Sequence, residues 1–177
     1  MNDTLVYDGW LKICQRRIGN TTYDILGDYC AAAAIITDEA RNVLLVEQFR
    51  PALMKHTLEI PAGTLDNNME SKTECLSREL REEANLIVRP EEIKPVLSYL
   101  PNIGFSNSFM SVFFLRLDGE HEPGEISIEH DDVIKAYWVN MDDFAKIVAR
   151  GEILDIKTLI AFWYLKNNID CSCTGFD

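Results

Sequence analysis

The sequence lacks any long apolar run and any sign of a secretory leader. None of its 177 residues belongs to an uninterrupted apolar stretch of the ~18–20 residues that a membrane helix needs. The first ten residues, MNDTLVYDGW, have neither the basic start nor the apolar segment of a signal peptide. These absences argue against a membrane protein and predict a cytoplasmic one.

The chain is also poor in basic residues. It has 17 Lys and Arg against 29 Asp and Glu, a formal net charge of -12 at pH 7. Such a surface repels nucleic-acid backbones and anionic membranes, which disfavours both as partners. It would repel a diphosphate as well, unless a local group of carboxylates holds divalent cations that reverse the sign of the site.

Cysteines are few and odd in number, since there are five. Free thiols in a reducing compartment explain this better than a disulfide framework. The sequence also contains no linker, internal repeat or low-complexity tract. We therefore expect one domain over residues 1–177, with N-terminal strands at about 4–27 and a core at 28–168.

Strand-like and helix-like segments alternate along the chain. Gly19-Asn20 separates two strand-like runs and predicts a hairpin. The acidic stretch 117–132 contains Pro123-Gly124 and predicts a surface loop. Strands on both sides of helices predict an α/β fold, an α/β/α sandwich with a mixed sheet preceded by antiparallel N-terminal strands. The expected core strands are 30–37, 43–48, 57–61, 94–100, 108–116 and 133–139, and the expected helices are 71–84, 141–150 and 158–166.

The helix expected at 71–84 has clear start and stop signals. Ser71 followed by Glu74 is a capping-box pattern. Asn85 follows the last turn, where a left-handed residue ends many helices. An apolar stripe runs along one face, formed by Leu76, Leu80 and Ala84.

A different face of this helix is acidic. Glu79, Glu82 and Glu83 are spaced i, i+3 and i+4, so their charges repel one another. A hard cation such as Mg²⁺ or Mn²⁺ would turn that repulsion into ligation, because these ions prefer carboxylate oxygens. Taken alone, such a cluster is more often a solvated helix face, with Arg78 and Arg81 neutralising part of the charge.

The spacing of the whole segment 63–86 resembles the Nudix signature. That signature is Gly, five residues, Glu, seven residues, then Arg-Glu-apolar-x-Glu-Glu-x-Gly-apolar. Gly63, Glu70 and the run RELREEANL at 78–86 follow it with two departures. Six residues rather than five separate Gly63 from Glu70, and Asn85 replaces the Gly.

The resemblance implies a role for each matched residue. Glu79 and Glu83 would be the principal metal ligands, with Glu82 assisting and the backbone carbonyl of Ala62 completing the coordination. Arg78 would brace the segment by pairing with Glu70. The implied cofactor is Mg²⁺, with Mn²⁺ as the alternative, and the implied reaction is attack of water on a phosphorus of a diphosphate.

The wider chain resembles the branch of this family that hydrolyses ADP-ribose and nucleotide sugars. The stretches that carry this resemblance are VLLVEQFRP (43–51), LEIPAG (58–63), LPNIGFSN (100–107) and GEILDIKTLIAFWYL (151–165). It implies that Arg50 contacts the substrate phosphates, because the planar guanidinium of arginine can bind a phosphate through two hydrogen bonds. Glu59 would either approach the substrate region or make a structural hydrogen bond.

The same branch often places its catalytic base on an acidic loop after the sheet. Glu129, shortly before the strand expected at 133–139, matches that place best, although such loops are more often simply solvated.

One departure of this sequence from its relatives bears on the choice of substrate. Relatives carry a Ser-Pro-Gly start and a downstream Glu in the loop that reads NIGFSNS here, and Ser108 cannot replace that Glu.

The N-terminal strands imply an oligomer, because in this branch they are exchanged between subunits of a homodimer. Trp10 and Tyr23 are candidates for stacking on a nucleobase, although packing in the dimer or the core is the commoner role.

Three functions stay open. The first is hydrolysis of a nucleoside diphosphate sugar such as ADP-ribose to a nucleoside monophosphate and a sugar phosphate. The second is house-cleaning hydrolysis of nucleoside triphosphates or dinucleoside polyphosphates, and the third is nucleotide binding without catalysis.

Overall fold

The structure, a computed structural model, describes residues 3–27, 30–65, 70–119, 124–126 and 133–171. Its strands are β1 (Thr4–Asp8), β2 (Lys12–Ile18), β3 (Thr21–Gly27), β4 (Ala31–Thr37), β5 (Val43–Arg50), β6 (Lys55–Glu59), β7 (Ala62–Thr64), β8 (Lys94–Tyr99), β9 (Met110–Arg116), β10 (Gly124–Ile126) and β11 (Val133–Val139). Its helices are α1 (Lys72–Ala84), α2 (Met141–Ala149) and α3 (Ile156–Cys171), with a 3₁₀ turn at Pro90–Glu92.

The first three strands form a separate antiparallel sheet in the order β1-β2-β3. The hairpin between β2 and β3 turns at Gly19-Asn20, as predicted, with Ile18 opposite Thr21. Gly19 has a φ of 60°, a conformation that glycine adopts without a steric cost. This sheet meets the rest of the chain where the Leu26 N–H donates to the Phe105 carbonyl at 2.8 Å.

The larger sheet is mixed and forks at its centre. Its order is β10-β11-β5-β4-β9-β8, with β6 added to β5 and β7 added to β4. Strand β4 runs parallel to β9 along its whole length, but β4 and β5 pair only at Thr37 and Val43. Beyond that point the two strands diverge, and β6 and β7 enter the gap between them. The fork brings the start of β7 under helix α1.

Helices cover both faces of this sheet. Leu76, Leu80 and Ala84 of α1 pack on one face together with strand residues such as Leu44 and Val46. Phe144 of α2 and Phe162 of α3 pack on the other face. Residues of one strand alternate between the two cores because successive side chains point to opposite faces. The predicted α/β/α sandwich with a mixed sheet and N-terminal antiparallel strands is confirmed.

The main differences between the expected and observed boundaries lie in three places. The stretch 117–132, expected to be a surface loop, contains the short strand β10, which pairs with β11. Helix α3 begins at Ile156 and extends to Cys171, longer than the expected 158–166. The strand expected at 57–61 is β6, which ends at Glu59, and Ala62–Thr64 forms β7. Three-residue strands show too little alternation to stand out in a sequence.

Across the residues that the structure describes, no helix is both long enough and apolar enough to cross a membrane.

Candidate active site

Helix α1 is fixed at both ends by its own sequence. The Ser71 hydroxyl accepts from the Glu74 N–H, and the Glu74 side chain accepts in return from the Ser71 N–H, so the predicted capping box is present. Asn85 ends the helix in the left-handed conformation, with a φ of 56°. Burial of Leu76 and Leu80 then orients the helix, and its acidic face lies over the fork of the sheet.

Glu83 is the most deeply buried carboxylate of that face, with 3 % of its surface exposed. The Gln48 side-chain amide on β5 donates to its Oε1 at 2.6 Å. The Ala62 backbone N–H at the start of β7 donates to its Oε2 at 3.3 Å. Glu83 therefore joins helix α1 to β5 on one side of the fork and to β7, the strand paired with β4, on the other. Burial raises the pKa of Glu83 to about 8, and the charge of Glu79 contributes to the rise.

Glu79 lies against the backbone of β7. A Cβ atom on Gly63 would collide with the Glu79 side chain, which would have to move from its present position. Arg78 Nη1 donates to Glu79 Oε1 at 2.8 Å. Glu79 and Glu83 are thus held on the same side of the helix, beside Ala62 and Gly63.

Arg78 braces the acidic face from outside. Its guanidinium donates to Glu70 at 3.2 Å and 3.4 Å, the pairing that the family resemblance implied. It also reaches Glu82 at 3.3 Å. Since 35 % of the Glu82 side chain is exposed, Glu82 is the most accessible of the three glutamates predicted to contribute to the metal site.

Arg50 and Glu59 form an ion pair where β5 and β6 run side by side. Arg50 Nε donates to Glu59 Oε1 at 2.7 Å, and Nη2 donates to Oε2. Thr57 Oγ1 donates to Oε1 at 2.6 Å, and Lys157 at the start of α3 donates to Oε2. Burial alone would raise the pKa of Glu59, but Arg50 and Lys157 outweigh it and lower the pKa to about 2. The Glu59 carboxylate is therefore occupied by protein partners.

The start of α3 holds the corner between β6 and β7. The buried Thr158 hydroxyl accepts from the Ile60 N–H at 2.9 Å and donates to Asp155 at 2.6 Å. Asp155 also accepts from the Thr158 N–H at 2.9 Å, an N-cap contact. The corner leads directly into Ala62, so α3 fixes the backbone on which the acidic face of α1 rests.

The donor chemistry of this region fits a hard divalent cation. Two glutamates, Glu79 and Glu83, are close enough for one charge to raise the pKa of the other, and their carboxylate oxygens are the ligands that Mg²⁺ and Mn²⁺ prefer. A cation beside them would relieve the repulsion. Within the described part of the chain, no three His, Cys, Asp or Glu side chains already converge as a metal-binding group.

Of the remaining residues that the sequence pointed to, one lies outside the described part of the chain and three lie within it. Glu129 lies outside the described residues. Ser108, at the altered loop position, is buried and accepts a hydrogen bond from the Ser106 hydroxyl at 2.9 Å. Trp10 and Tyr23 are 80 % and 47 % exposed, which places neither in the core of the chain. Trp10 also lines a recess of about 320 Å³ between the first sheet and the loop that contains Ser106.

Several residues of the site were not singled out in the sequence, among them Gln48, Lys157 and Thr158. Gln48 is a polar residue at an inward position of β5, where it follows Leu44 and Val46 on the same face. Lys157 and Thr158 follow Asp155 in the largely apolar stretch ILDIKTLIAF. A polar residue on a face that the strand pattern predicts to be buried was the available signal for Gln48.

Comparison with known proteins identifies the family of the domain. The model of the NUDIX domain matches residues 29–158. An ADP-ribose pyrophosphatase of Bacillus subtilis (strain 168) is 30% identical over 136 residues, which cover 76% of this chain and 70% of the relative. An ADP-ribose pyrophosphatase of Mycobacterium tuberculosis is 29% identical over 138 residues, covering 77% and 65%.

The fold is also found among solved structures. A crystal structure described as an ADP compounds hydrolase matches with a TM-score of 0.72 at 13% identity, and the match covers 98% of this chain and 94% of that one. At that level of identity the match supports the fold alone.

Proposed function

The chain belongs to the Nudix family and is a hydrolase of pyrophosphate bonds, and we propose that its substrate is a nucleoside diphosphate sugar such as ADP-ribose. The products would be a nucleoside monophosphate and a sugar phosphate. One observation carries this proposal: Arg50 follows Gln48 by two residues on the same face of β5, and the Gln48 side chain contacts Glu83 on the acidic face of α1. The positively charged guanidinium of Arg50, which can bind phosphate oxygens, thus lies beside carboxylates that can bind a metal ion. The names of the two relatives support the same substrate class.

A divalent cation is the proposed cofactor, as is general in this family. Glu79 and Glu83, assisted by Glu82 and the backbone carbonyl of Ala62, would hold Mg²⁺, with Mn²⁺ as the alternative. When bound, the ion would polarise the diphosphate and lower the pKa of the attacking water.

The chain's own residues would perform the remaining tasks. Arg50 binds phosphate oxygens, and Glu59 orients Arg50 by holding its Nε–Nη2 edge. Glu82 is the exposed carboxylate of the acidic face. Glu129 remains our prediction for the group that takes the proton from the attacking water. A Glu129→Gln variant that binds substrate normally but turns over slowly would support that role, and normal turnover would refute it.

A homodimer assembled through the first sheet is the proposed state in solution. Large apolar side chains are exposed along β1–β3, at Leu5, Val6, Tyr7, Ile18 and Tyr23. Surface of that kind is usually covered by a partner. Sedimentation equilibrium would test the proposal, because Tyr7→Lys should shift the population towards monomers while Lys94→Glu on the larger sheet should not.

The decisive experiment is a substrate panel with product identification. ADP-ribose, GDP-mannose, nucleoside triphosphates and dinucleoside polyphosphates are each incubated with the chain in Mg²⁺. We expect cleavage of a sugar diphosphate to a nucleoside monophosphate and a sugar phosphate. Pyrophosphate release from triphosphates alone would favour the house-cleaning function. Tight binding without hydrolysis under several metals would favour a silent nucleotide-binding module.

A matched pair of variants assigns the activity to the helix. Glu83→Gln should abolish turnover while the fold survives, because the amide cannot serve as an anionic ligand. Glu91→Gln, at an exposed position of the 3₁₀ turn, should turn over at the wild-type rate. Unchanged turnover in Glu83→Gln would refute the assignment.

A further inference from the structure

Lys157 occupies a position that helix stability does not explain. It stands in the first turn of α3, where the helix dipole disfavours a positive charge. It is also 4 % exposed, and a buried lysine is costly unless it is paired. Its Nζ donates to Glu59, 98 residues away in the sequence, and lies 3.0 Å from Asp155 Oδ2. The lysine thus joins helix α3 to the end of β6.

The guanidinium of Arg50 is bound along one edge only. Its Nε and Nη2 donate to the two oxygens of Glu59. Its Nη1 makes no hydrogen bond with the part of the chain that the structure describes, and 42% of the Arg50 side chain is exposed. The Nη1 edge is therefore directed away from Glu59 and is available to an anion.

The two cations that contact Glu59, Lys157 and Arg50, differ in how deeply they are buried. The Glu59 and Lys157 side chains are only 4% and 5% exposed, so each is the buried counter-ion of the other. Arg50 also contacts Glu59, but from the half-exposed side. If Lys157 were absent, Arg50 alone would neutralise Glu59, and its attraction for a second anion would weaken.

We propose that Lys157 is a positioning residue of the diphosphate site, which neutralises Glu59 so that Glu59 orients Arg50 without cancelling its charge towards a phosphate. The inference rests on the proposed function, which assigns Arg50 to the substrate phosphates. Removing the outer partners of metal ligands typically changes affinity or activity by ~10–100-fold, and we expect an effect of that order for the partner of a phosphate-binding arginine. Asp155 completes the arrangement by holding the other side of the lysine Nζ.

The first test separates positioning from stability. Lys157→Met keeps the length of the stem and removes the charge, and Lys166→Met makes the same change at an exposed position of the same helix. With ADP-ribose as substrate, we expect KM to rise about tenfold in Lys157→Met while kcat changes less than about threefold. Lys166→Met should match the wild type. A lower free energy of unfolding with unchanged KM would overturn the proposal.

A double-mutant cycle tests whether the lysine acts through Arg50. In an Arg50→Ala background, Lys157→Met should cause no further loss of kcat/KM, because the group it positions is absent. Unfolding by urea is followed in all four proteins to establish that each is folded. Independent, multiplicative losses would overturn the proposal.

Binding of inorganic pyrophosphate without metal gives a readout that does not depend on turnover. The Nε–H resonance of Arg50, assigned by its loss in Arg50→Lys, is followed by ¹⁵N NMR during titration of the full chain in EDTA. We expect the resonance to shift, with an apparent Kd about tenfold weaker in Lys157→Met. No shift in the wild type, or equal Kd values, would overturn the proposal.

A second variant covers the case in which Lys157→Met fails to fold. Glu59→Gln combined with Lys157→Met removes both buried charges and leaves an amide oxygen for Arg50. Its pyrophosphate affinity should return to within about threefold of the wild type, and persistent weakness would overturn the proposal. If the wild type leaves ADP-ribose uncleaved but binds pyrophosphate in this lysine-dependent way, the proposed substrate fails while the role of Lys157 stands.

Discussion

The side-chain amide of Gln48 donates to the Glu83 carboxylate at 2.6 Å, across the space between strand β5 and helix α1. Both residues are buried, at 8 % and 3 % exposure. The amide nitrogen is a pure donor, so it favours an ionised oxygen and fixes which way the carboxylate faces. The second oxygen of Glu83 accepts from Ala62 on β7. Gln48 thus aligns the carboxylate that the proposed metal site depends on most.

Replacing Gln48 with leucine should reduce activity without unfolding the chain. Leucine fills a similar volume but leaves Glu83 Oε1 without its donor in a buried place. We expect kcat/KM for the substrate found in the panel to fall about 10–100-fold. Gln15→Leu, at an exposed position of β2, is the matched control. Equal activity in Gln48→Leu and the wild type would mean that Glu83 is oriented by other contacts.

Gly63→Ala should disturb Glu79 selectively. The added Cβ would meet the Glu79 carboxylate, which Arg78 holds in place. We expect a stability loss of about 1–3 kcal/mol by chemical denaturation, together with weaker metal-dependent activity. Gly104→Ala places its Cβ in open space and should cost far less. A fully active Gly63→Ala would show that the contact between β7 and Glu79 is dispensable.

Asn85 offers a test of the helix end apart from the chemistry. Its φ of 56° is tolerated by asparagine and glycine but strained for a β-branched residue. Asn85→Gly should therefore leave the thermal midpoint and turnover close to wild type. Asn85→Val should lower the free energy of unfolding by about 1–2 kcal/mol. Asn167→Val, at an exposed position of α3, controls for the change of side chain, and a loss as large there would contradict the strain argument.

The parts of the site predicted from sequence are those governed by neighbours along the chain. The capping box, the apolar stripe and the Arg78–Glu70 pair of α1 involve spacings of 3 to 8 residues. Such spacings are fixed by helix geometry or by a short loop. The family resemblance added Arg50 and Glu59, but it left open whether Glu59 faces the substrate or a structural partner.

The parts not predicted depend on packing between distant segments. Gln48 meets Glu83 across 35 residues, and Lys157 meets Glu59 across 98. No local period encodes these contacts, because they arise only once α1 and α3 cover opposite faces of one sheet. The short strand β10 was missed for a related reason, since its three residues are defined by pairing with β11 rather than by their own pattern.

The acid dependence of stability provides a test of the buried network around Glu59. Its partners lower the pKa of Glu59 from 4.5 to about 2 although burial opposes the change. The folded state then binds fewer protons than the unfolded state between these values. The ion pair therefore stabilises the fold fully above about pH 4.5 and loses its contribution as the pH falls towards 2. At neutral pH the depression corresponds to on the order of 3 kcal/mol.

Glu59→Gln should consequently be less stable than the wild type at pH 7, and the difference should shrink as the pH is lowered from 5 to 3. Urea denaturation at several pH values measures both free energies of unfolding. Glu91→Gln changes an exposed carboxylate and should leave the wild-type pH profile nearly unaltered. A deficit in Glu59→Gln that is constant across the whole range would instead mean that packing and hydrogen-bond geometry, rather than the ionised carboxylate, account for the contribution of Glu59.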